Sequence, residues 1–197
     1  MTALGSRPAD EGWLDRHVDL VTAARSAPLL ELGCGEGRDT QWLAAHHPCV
    51  VAVDLSTAAL GECAARAPAA HRVCLDLGRA LPFRSRTFGL VVASLSLHYF
   101  ESAAMHRVVT EVRRCLADDG WLVCRVNSVR DVHFGARGYP VIERHVYRVR
   151  GRIKRFFDAA DLRTYFDRAF ECRSRFEHTI DRYPKSKVVW EMRLAAR

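Results

Sequence analysis

What the 197-residue chain lacks narrows it first. No apolar stretch approaches the roughly 20 residues that a bilayer-spanning helix needs, so no membrane partner is expected. The opening MTALGSRPADEGW has neither the basic head nor the apolar core of a secretory leader, and a cytoplasmic location is the expectation. There is no long polar low-complexity run, and 27% of residues are charged against 49% hydrophobic, which speaks against a disordered chain. No repeat and no linker breaks the sequence. One domain over residues 1–197 is therefore expected, with an N-terminal helix in 1–27, a core in 28–128 and a loop, hairpin and closing strands in 129–197. The seven cysteines never fall in a CxxC pair. Cys34, Cys74 and Cys124 sit in or beside apolar runs and read as small hydrophobes in a reducing compartment.

Charge is present but unevenly placed. The net charge is +7, made of +9 from Arg125 onward and −2 before it. The basic half could attract nucleic acid or an anionic small molecule, or it could be a solvated arginine-rich surface.

Strands and helices alternate five times. Residues 10–25 carry Trp13, Leu14, His17, Val18 and Val21 at helical spacing, and Pro28 stops that helix. PLLEL reads as a first strand, RDTQWLAAHH as a helix, and CVVAVDL as a continuous apolar strand of the kind buried in parallel sheets. Ser56 caps the helix TAALGECAARA. RVCLDL and FGLVVASLSL are the third and fourth strands, and residues 102–117 are a long helix with Ser102 as its cap. Asp118, Asp119 and Gly120 make a turn before a fifth strand, GWLVCRVNS. Residues 129–144 read as a long loop, HVYRVRGRIKRFF as a hairpin turning near Gly151, and residues 158–170 as a helix capped by Asp158. ECRSRFEHTI and KVVWEMRLA form an antiparallel pair at the sheet edge. The expected fold class is α/β: a Rossmann-like, mostly parallel seven-stranded sheet with helices on both faces and an antiparallel last strand. Such sheets bind ligands at the carboxyl ends of their strands.

The stretch LLELGCGEGRD stands at the end of the first strand. Gly33, Gly35 and Gly37 make a turn that lets a ligand approach the backbone. Their spacing is G-x-G-x-G, whereas the dinucleotide fingerprint is G-x-G-x-x-G. Glu31 precedes the turn; it would repel a pyrophosphate but suits a cationic amino group.

These motifs resemble class I S-adenosylmethionine-dependent methyltransferases over roughly residues 29–126. The resemblance implies S-adenosylmethionine as cofactor, with S-adenosylhomocysteine as product. It places Glu31 near the methionine amino group and the loop of Gly33, Cys34, Gly35, Gly37 and Asp39 under methionine and ribose. Asp54 would take the ribose hydroxyls with Leu55 beside it, Asp76 the adenine amino group with Leu77 packed nearby. Ser94 and Leu95, closing the fourth strand, would face methionine and substrate. LADDGWLVCRV resembles the family's L-x-P-G-G turn and fifth strand, with Asp118 and Asp119 where Pro and Gly are common. Gly89 stands where Asp is common. GCGEGRDTQWLA, SLSLHYF and the tail are similar to small, mostly uncharacterised bacterial methyltransferases. The Gly-loop followed by Arg-Asp is also similar to tellurite-resistance and thiol methyltransferases, which the C-terminal third does not match.

Methyl transfer needs an aligned nucleophile, exclusion of water and, for some acceptors, removal of a proton. His98 and Tyr99 follow the fourth strand, beside the expected methyl position. His98 has the pKa of a general base, or both rings wall the pocket. Asn127, Asp131, His133 and Phe134 form a second cluster, with Gly135 and Gly138 as lid hinges or as parts of an ordinary crossover loop. His98, Asp131 and His133 lack the ligand spacing of a metal site, and no metal is assigned. Arg152, Lys154, Arg155, Arg182, Tyr183, Lys185 and Lys187 are the basic candidates for a carboxylate or phosphate on the substrate, or they are solvent-facing. Trp13 either covers the cofactor or simply packs. The expected function is methyl transfer to a small molecule through an O, N or S nucleophile. Partners are that substrate, possibly anionic, in a monomer or homodimer. An RNA or protein methyltransferase using the basic half, and a non-catalytic binding module, are the alternatives.

Overall fold

The computed structural model describes residues 12–181 and 184–197. Arg182 and Tyr183, and the start of the expected N-terminal helix, lie outside the described residues. The main sheet has seven strands in the order β3-β2-β1-β4-β5-β10-β9: β1 (Leu29–Leu32), β2 (Val50–Asp54), β3 (His71–Cys74), β4 (Phe88–Ser94), β5 (Leu116–Asn127), β9 (Phe170–Ile180) and β10 (Lys187–Ala196). The first five run parallel, and β10 pairs antiparallel with both β5 and β9. This is the expected α/β class. The helices are α1 (Val18–Ala23), α2 (Arg38–His46), α3 (Thr57–Arg66), α4 (Ser102–Cys115) and α5 (Ala159–Phe166). No helix among the described residues is long and apolar enough to cross a membrane.

Alternate side chains of the central strands feed two cores. Leu30 and Leu32, Val91 and Ala93, and Leu122, Cys124 and Val126 pack with α4 and α5 on one face. Leu29, Leu90, Val92 and Val123 pack with Trp13, Leu14 and Val21 on the other. Two residues beyond Leu29, Val92 and Val123, the second face changes from apolar to polar, at Glu31, Ser94 and Arg125. These three lie within two residues of the carboxyl ends of adjacent strands, and the polarity switch marks where the core stops and a site begins.

Several local expectations need correction. The N-terminal element is a 3-10 turn over Trp13–His17, then α1, then a second 3-10 turn over Ala24–Ser26, and Val18 is exposed. Ser102 is the first residue of α4 rather than its cap. Its amide and its hydroxyl both donate to Glu143 Oε1, at 2.6 and 2.8 Å, so a carboxylate distant in sequence supplies the cap. Asp118–Gly120 is absorbed into β5 across a register shift opposite β4. The loop expected over 129–144 contains a 3-10 turn (Val132–Phe134) and a strand, β6 (Val141–Glu143). β6 joins β7 (Val146–Val149) and β8 (Arg152–Arg155), so the expected hairpin is two-thirds of a small three-stranded antiparallel sheet. Ser56 and Asp158 cap α3 and α5 as expected; Asp158 forms a reciprocal capping box with Asp161.

Candidate functional site

The glycine turn joins β1 to α2. The amides of Gly33 and Cys34 both donate to the Val53 carbonyl at 2.8 and 2.9 Å, which ties the turn to β2. All three glycines have positive φ. A Cβ on Gly33 would lie 2.5 Å from the Ser96 Cβ, and one on Gly37 would lie 2.8 Å from the Cys63 Cα of α3. Around a Cβ on Gly35 there is no atom within 4 Å. The outer glycines let the turn pack tightly; the middle one faces open space.

That space is a cavity of about 500 Å³, within the size range of small-ligand sites. Glu31, Gly33, Cys34, Gly35, Glu36, Arg38, Asp39, Ser94, Leu95 and Tyr99 line it. Glu31 is 2% exposed and accepts a hydrogen bond from the Thr40 hydroxyl at 2.6 Å. Burial, then the nearby Asp39 and, less strongly, Asp54, push its carboxyl up to about 8, against the pull of Thr40. A carboxyl held this way gains from a cationic partner. Asp54, ending β2, accepts from the Gly35 amide and the Ser56 amide, each at 2.9 Å, and so shapes the turn while keeping lone pairs free. Leu55 beside it is 69% exposed, an apolar surface offered to solvent.

The remaining sequence candidates divide. Asp54, Leu55 and Asp76 stand outside the cavity wall. Asp76 accepts from the Gly78 amide at 2.8 Å. Leu77 packs against the core and lines a second cavity of about 380 Å³ with Gly78 and His106. Burial, with Glu31 nearby, pushes the Cys34 thiol far up, which leaves it a neutral wall. Tyr99 reaches the cavity; its ring lies 4.3 Å from that of His98. His98 is 3% exposed, and its Nδ1 has no hydrogen-bond partner. Burial, then Lys187 and Lys154, hold it well below the ordinary imidazole range, so it is neutral. His133 is exposed on the turn after β5.

Sequence reasoning missed Glu36 and Arg38, which line the cavity, Thr40, which braces Glu31, and Arg125. The Arg125 guanidinium is fully buried, stacks 4.2 Å from the Trp13 ring, and donates to the Ser94 hydroxyl at 2.8 and 3.2 Å. Arg38 was visible as the basic residue after the last glycine. Arg125 gave no signal beyond its place at a strand end.

A sheet in this order, with the glycine turn after β1, a buried carboxylate before it and an acidic residue ending β2, has the architecture of a class I S-adenosylmethionine-dependent methyltransferase. Residues 29–120 match the family described as methyltransferase domain. Over that span, a little under half of its length, the chain is similar to a methyltransferase domain. A curated relative, an uncharacterized methyltransferase from Synechocystis, is 36% identical over 92 residues, which are 47% of this chain and 43% of the relative. The match thus spans less than half of that relative's length. Among solved structures, a SAM-dependent methyltransferase from Methanosarcina mazei superposes with a TM-score of 0.75 at 16% identity, covering 86% of this chain and 92% of its own. An S-adenosylmethionine-dependent methyltransferase from Mesorhizobium loti gives 0.71 at 20% identity, covering 93% and 98%. The 1,6-didemethyltoxoflavin-N1-methyltransferase of Burkholderia thailandensis, solved with 1,6-didemethyltoxoflavin and S-adenosylhomocysteine, gives 0.69 at 20%, covering 95% and 79%.

Proposed function

We propose that the protein transfers a methyl group from S-adenosylmethionine to a small-molecule acceptor. The observation that carries this reading is the open side of Gly35, facing a cavity between the buried Glu31 and the turn that Asp54 braces. Glu31 would hold the methionine ammonium, Asp54 the ribose hydroxyls and Asp76 the adenine amino group, with Leu55 covering the nucleoside. The cofactor supplies a sulfonium-bound methyl for in-line displacement. Ser94 and Leu95 close the methyl side, and Tyr99 walls the acceptor side. His98, neutral and with Nδ1 unpartnered, takes the acceptor proton where the acceptor carries one. His133, exposed on the turn after β5, is not among the residues that line the cavity and is given no catalytic role.

The Burkholderia structure of the same fold holds a small molecule together with S-adenosylhomocysteine, which favours a small acceptor. The basic half is also less available to a macromolecule than its composition suggests. Arg155 and Lys187 are buried, and Arg130, Arg144, Arg173 and Arg193 pair with Glu177, Asp158, Glu171 and Asp19.

Calorimetric titration with S-adenosylhomocysteine tests the cofactor half of the reading. Binding is expected in the wild type, with a loss of about 100-fold in Asp54→Ala, the scale of a few lost hydrogen bonds, one of them holding the turn. Unchanged affinity in that variant overturns the ribose assignment. Incubation with labelled cofactor and a metabolite mixture, followed by mass detection of a methyl increment, identifies the acceptor. Salt-independent failure to bind generic RNA supports the small-molecule reading.

A further inference from the structure

The segment after β5 encloses charge that cofactor binding does not use. Asp131 is 1% exposed and Lys187 5%, and Lys187 Nζ donates to Asp131 Oδ2 at 2.6 Å. The same ammonium lies 4.9 Å from the centre of the Phe134 ring. Lys154, half-buried on β8, reaches the other side of that residue, and its hydrogen bond is a long one of 3.4 Å to the Phe134 carbonyl. The Arg155 amide donates to the His98 carbonyl at 2.7 Å, so β8 runs directly alongside the residues that follow β4. The series is continuous: the cavity, Tyr99 on its wall, His98 against Tyr99, then the two ammonium groups whose charge bears on His98, then Asp131.

The charge in this chamber does not balance among the described residues. Two ammonium groups face one carboxylate and a neutral imidazole, and Arg150 and Arg152 on the same hairpin add positive potential at Lys154. Buried charge is ordinarily paired. Two neighbouring polar atoms are also buried without partners: His98 Nδ1 and Asn127 Oδ1. Lys154 is the ammonium of this cluster without a direct carboxylate contact among the described residues, and through His98 and Tyr99 the cluster adjoins the wall of the cavity.

We propose that the acceptor is a small organic acid whose carboxylate sits against Lys154 beside His98, with the Asp131–Lys187 pair fixing the positive side of that subsite. This rests on the methyltransferase reading and narrows its substrate class. Lys154 acts in recognition, while burial, more than the two ammonium groups, keeps His98 neutral. A neutral or cationic acceptor would leave the ammonium uncompensated, and the site discriminates against it.

The test uses wild-type protein saturated with S-adenosylhomocysteine and three matched probes: benzoate, benzamide and benzylamine. Their dissociation constants are measured by calorimetry and their effects on the melting temperature by thermal shift. Benzoate is expected to bind at least tenfold more tightly than the other two. Lys154→Met is expected to abolish that preference while leaving the S-adenosylhomocysteine affinity within twofold. Among the described residues Lys154 makes no direct ion pair, only a longer-range attraction to Asp131, so the variant is expected to melt close to wild type. Lys185→Met, which removes an exposed lysine near β10, is expected to keep the preference. Equal binding of the three probes, a benzoate preference that survives Lys154→Met, or one lost equally in Lys185→Met overturns the subsite. Failure of S-adenosylhomocysteine to bind wild-type protein is a separate result and removes the cofactor reading itself.

Discussion

The two halves of the molecule hold their ligand-facing groups by different means. Around β1, β2 and the glycine turn, backbone does the positioning: two amides on the Val53 carbonyl, one on Asp54, and close approaches that only glycine permits. In the segment after Asn127, buried side-chain charge does it. Arg155, 1% exposed, donates to the Phe100 carbonyl, to the Ser102 hydroxyl at 3.1 Å and to Glu143 at 2.5 Å, and its guanidinium stacks 4.7 Å from the Tyr165 ring. One arginine thus joins β6, β8, α4 and α5. The contrast suits two tasks: a backbone cradle fixed by glycines suits an invariant cofactor, while a side-chain charge network is the more readily re-specified and would suit a variable acceptor.

The sharpest way to break this comparison is at the charge network. Glu143→Ala removes the carboxylate that caps α4 and pairs with Arg155, leaving a buried guanidinium without its counter-charge. A loss of about 3 kcal/mol is expected in urea unfolding, on the scale of a broken buried ion pair. Amide exchange in β6–β8 should accelerate well before that in β1 and β4. If all strands lose protection together, the halves form one cooperative unit and the distinction is only descriptive.

A somewhat smaller effect is expected at the turn, and here two neighbouring glycines should separate stability from binding. Gly37→Ala combines a left-handed conformation with a Cβ 2.8 Å from the Cys63 backbone, for a cost of about 2–3 kcal/mol. Gly35→Ala carries the conformational penalty alone, about 1 kcal/mol, but places a methyl in the cradle. Chemical unfolding should rank Gly37→Ala as the less stable, and calorimetry should rank Gly35→Ala as the weaker binder of S-adenosylhomocysteine relative to its stability loss.

The same division explains what could be read from sequence. The parallel strands, the glycine turn, Glu31 and Asp54 are encoded locally, by apolar runs ending in a carboxylate or a turn, and they were legible. β6 was not: it is three residues long, two of its pairs straddle a register shift, and what holds it is Glu143 reaching Ser102 and Arg155 across 41 and 12 positions. Ser102 looked like a cap because serine at a helix start ordinarily is one; a distant carboxylate took that role. Lysine and arginine read as surface by default, so nothing in the pattern near Lys187 distinguished it, buried on Asp131, from the exposed Lys185. Buried charge leaves no periodic trace, and only the folded structure reveals which cations were internal.

The most conditional effect, present only at high pH, concerns Glu31, a buried ionisable group in the backbone-built half. Glu31 ionises near 4.5 in the unfolded chain and at about 8 in the folded one. Below pH 4.5 the carboxyl is neutral in both states and contributes no penalty. As pH rises toward 8, the unfolded state releases the proton first, so the stability contributed by the neutral group falls away and is gone above about 8. Glu31→Gln keeps an oxygen for the Thr40 hydroxyl and removes the titration, so its apo form should be more stable than wild type at pH 8, by about 2 kcal/mol, and no more stable at pH 4.5. Saturating S-adenosylhomocysteine should reverse the order at pH 8, because the methionine ammonium compensates an ionised Glu31 and gains nothing comparable from an amide. Melting curves of both proteins at the two pH values, with and without ligand, read all of this. A wild-type pH slope that persists unchanged when ligand is bound would mean that Glu31 faces no ammonium, and that the cradle in this half of the molecule is built for a different group.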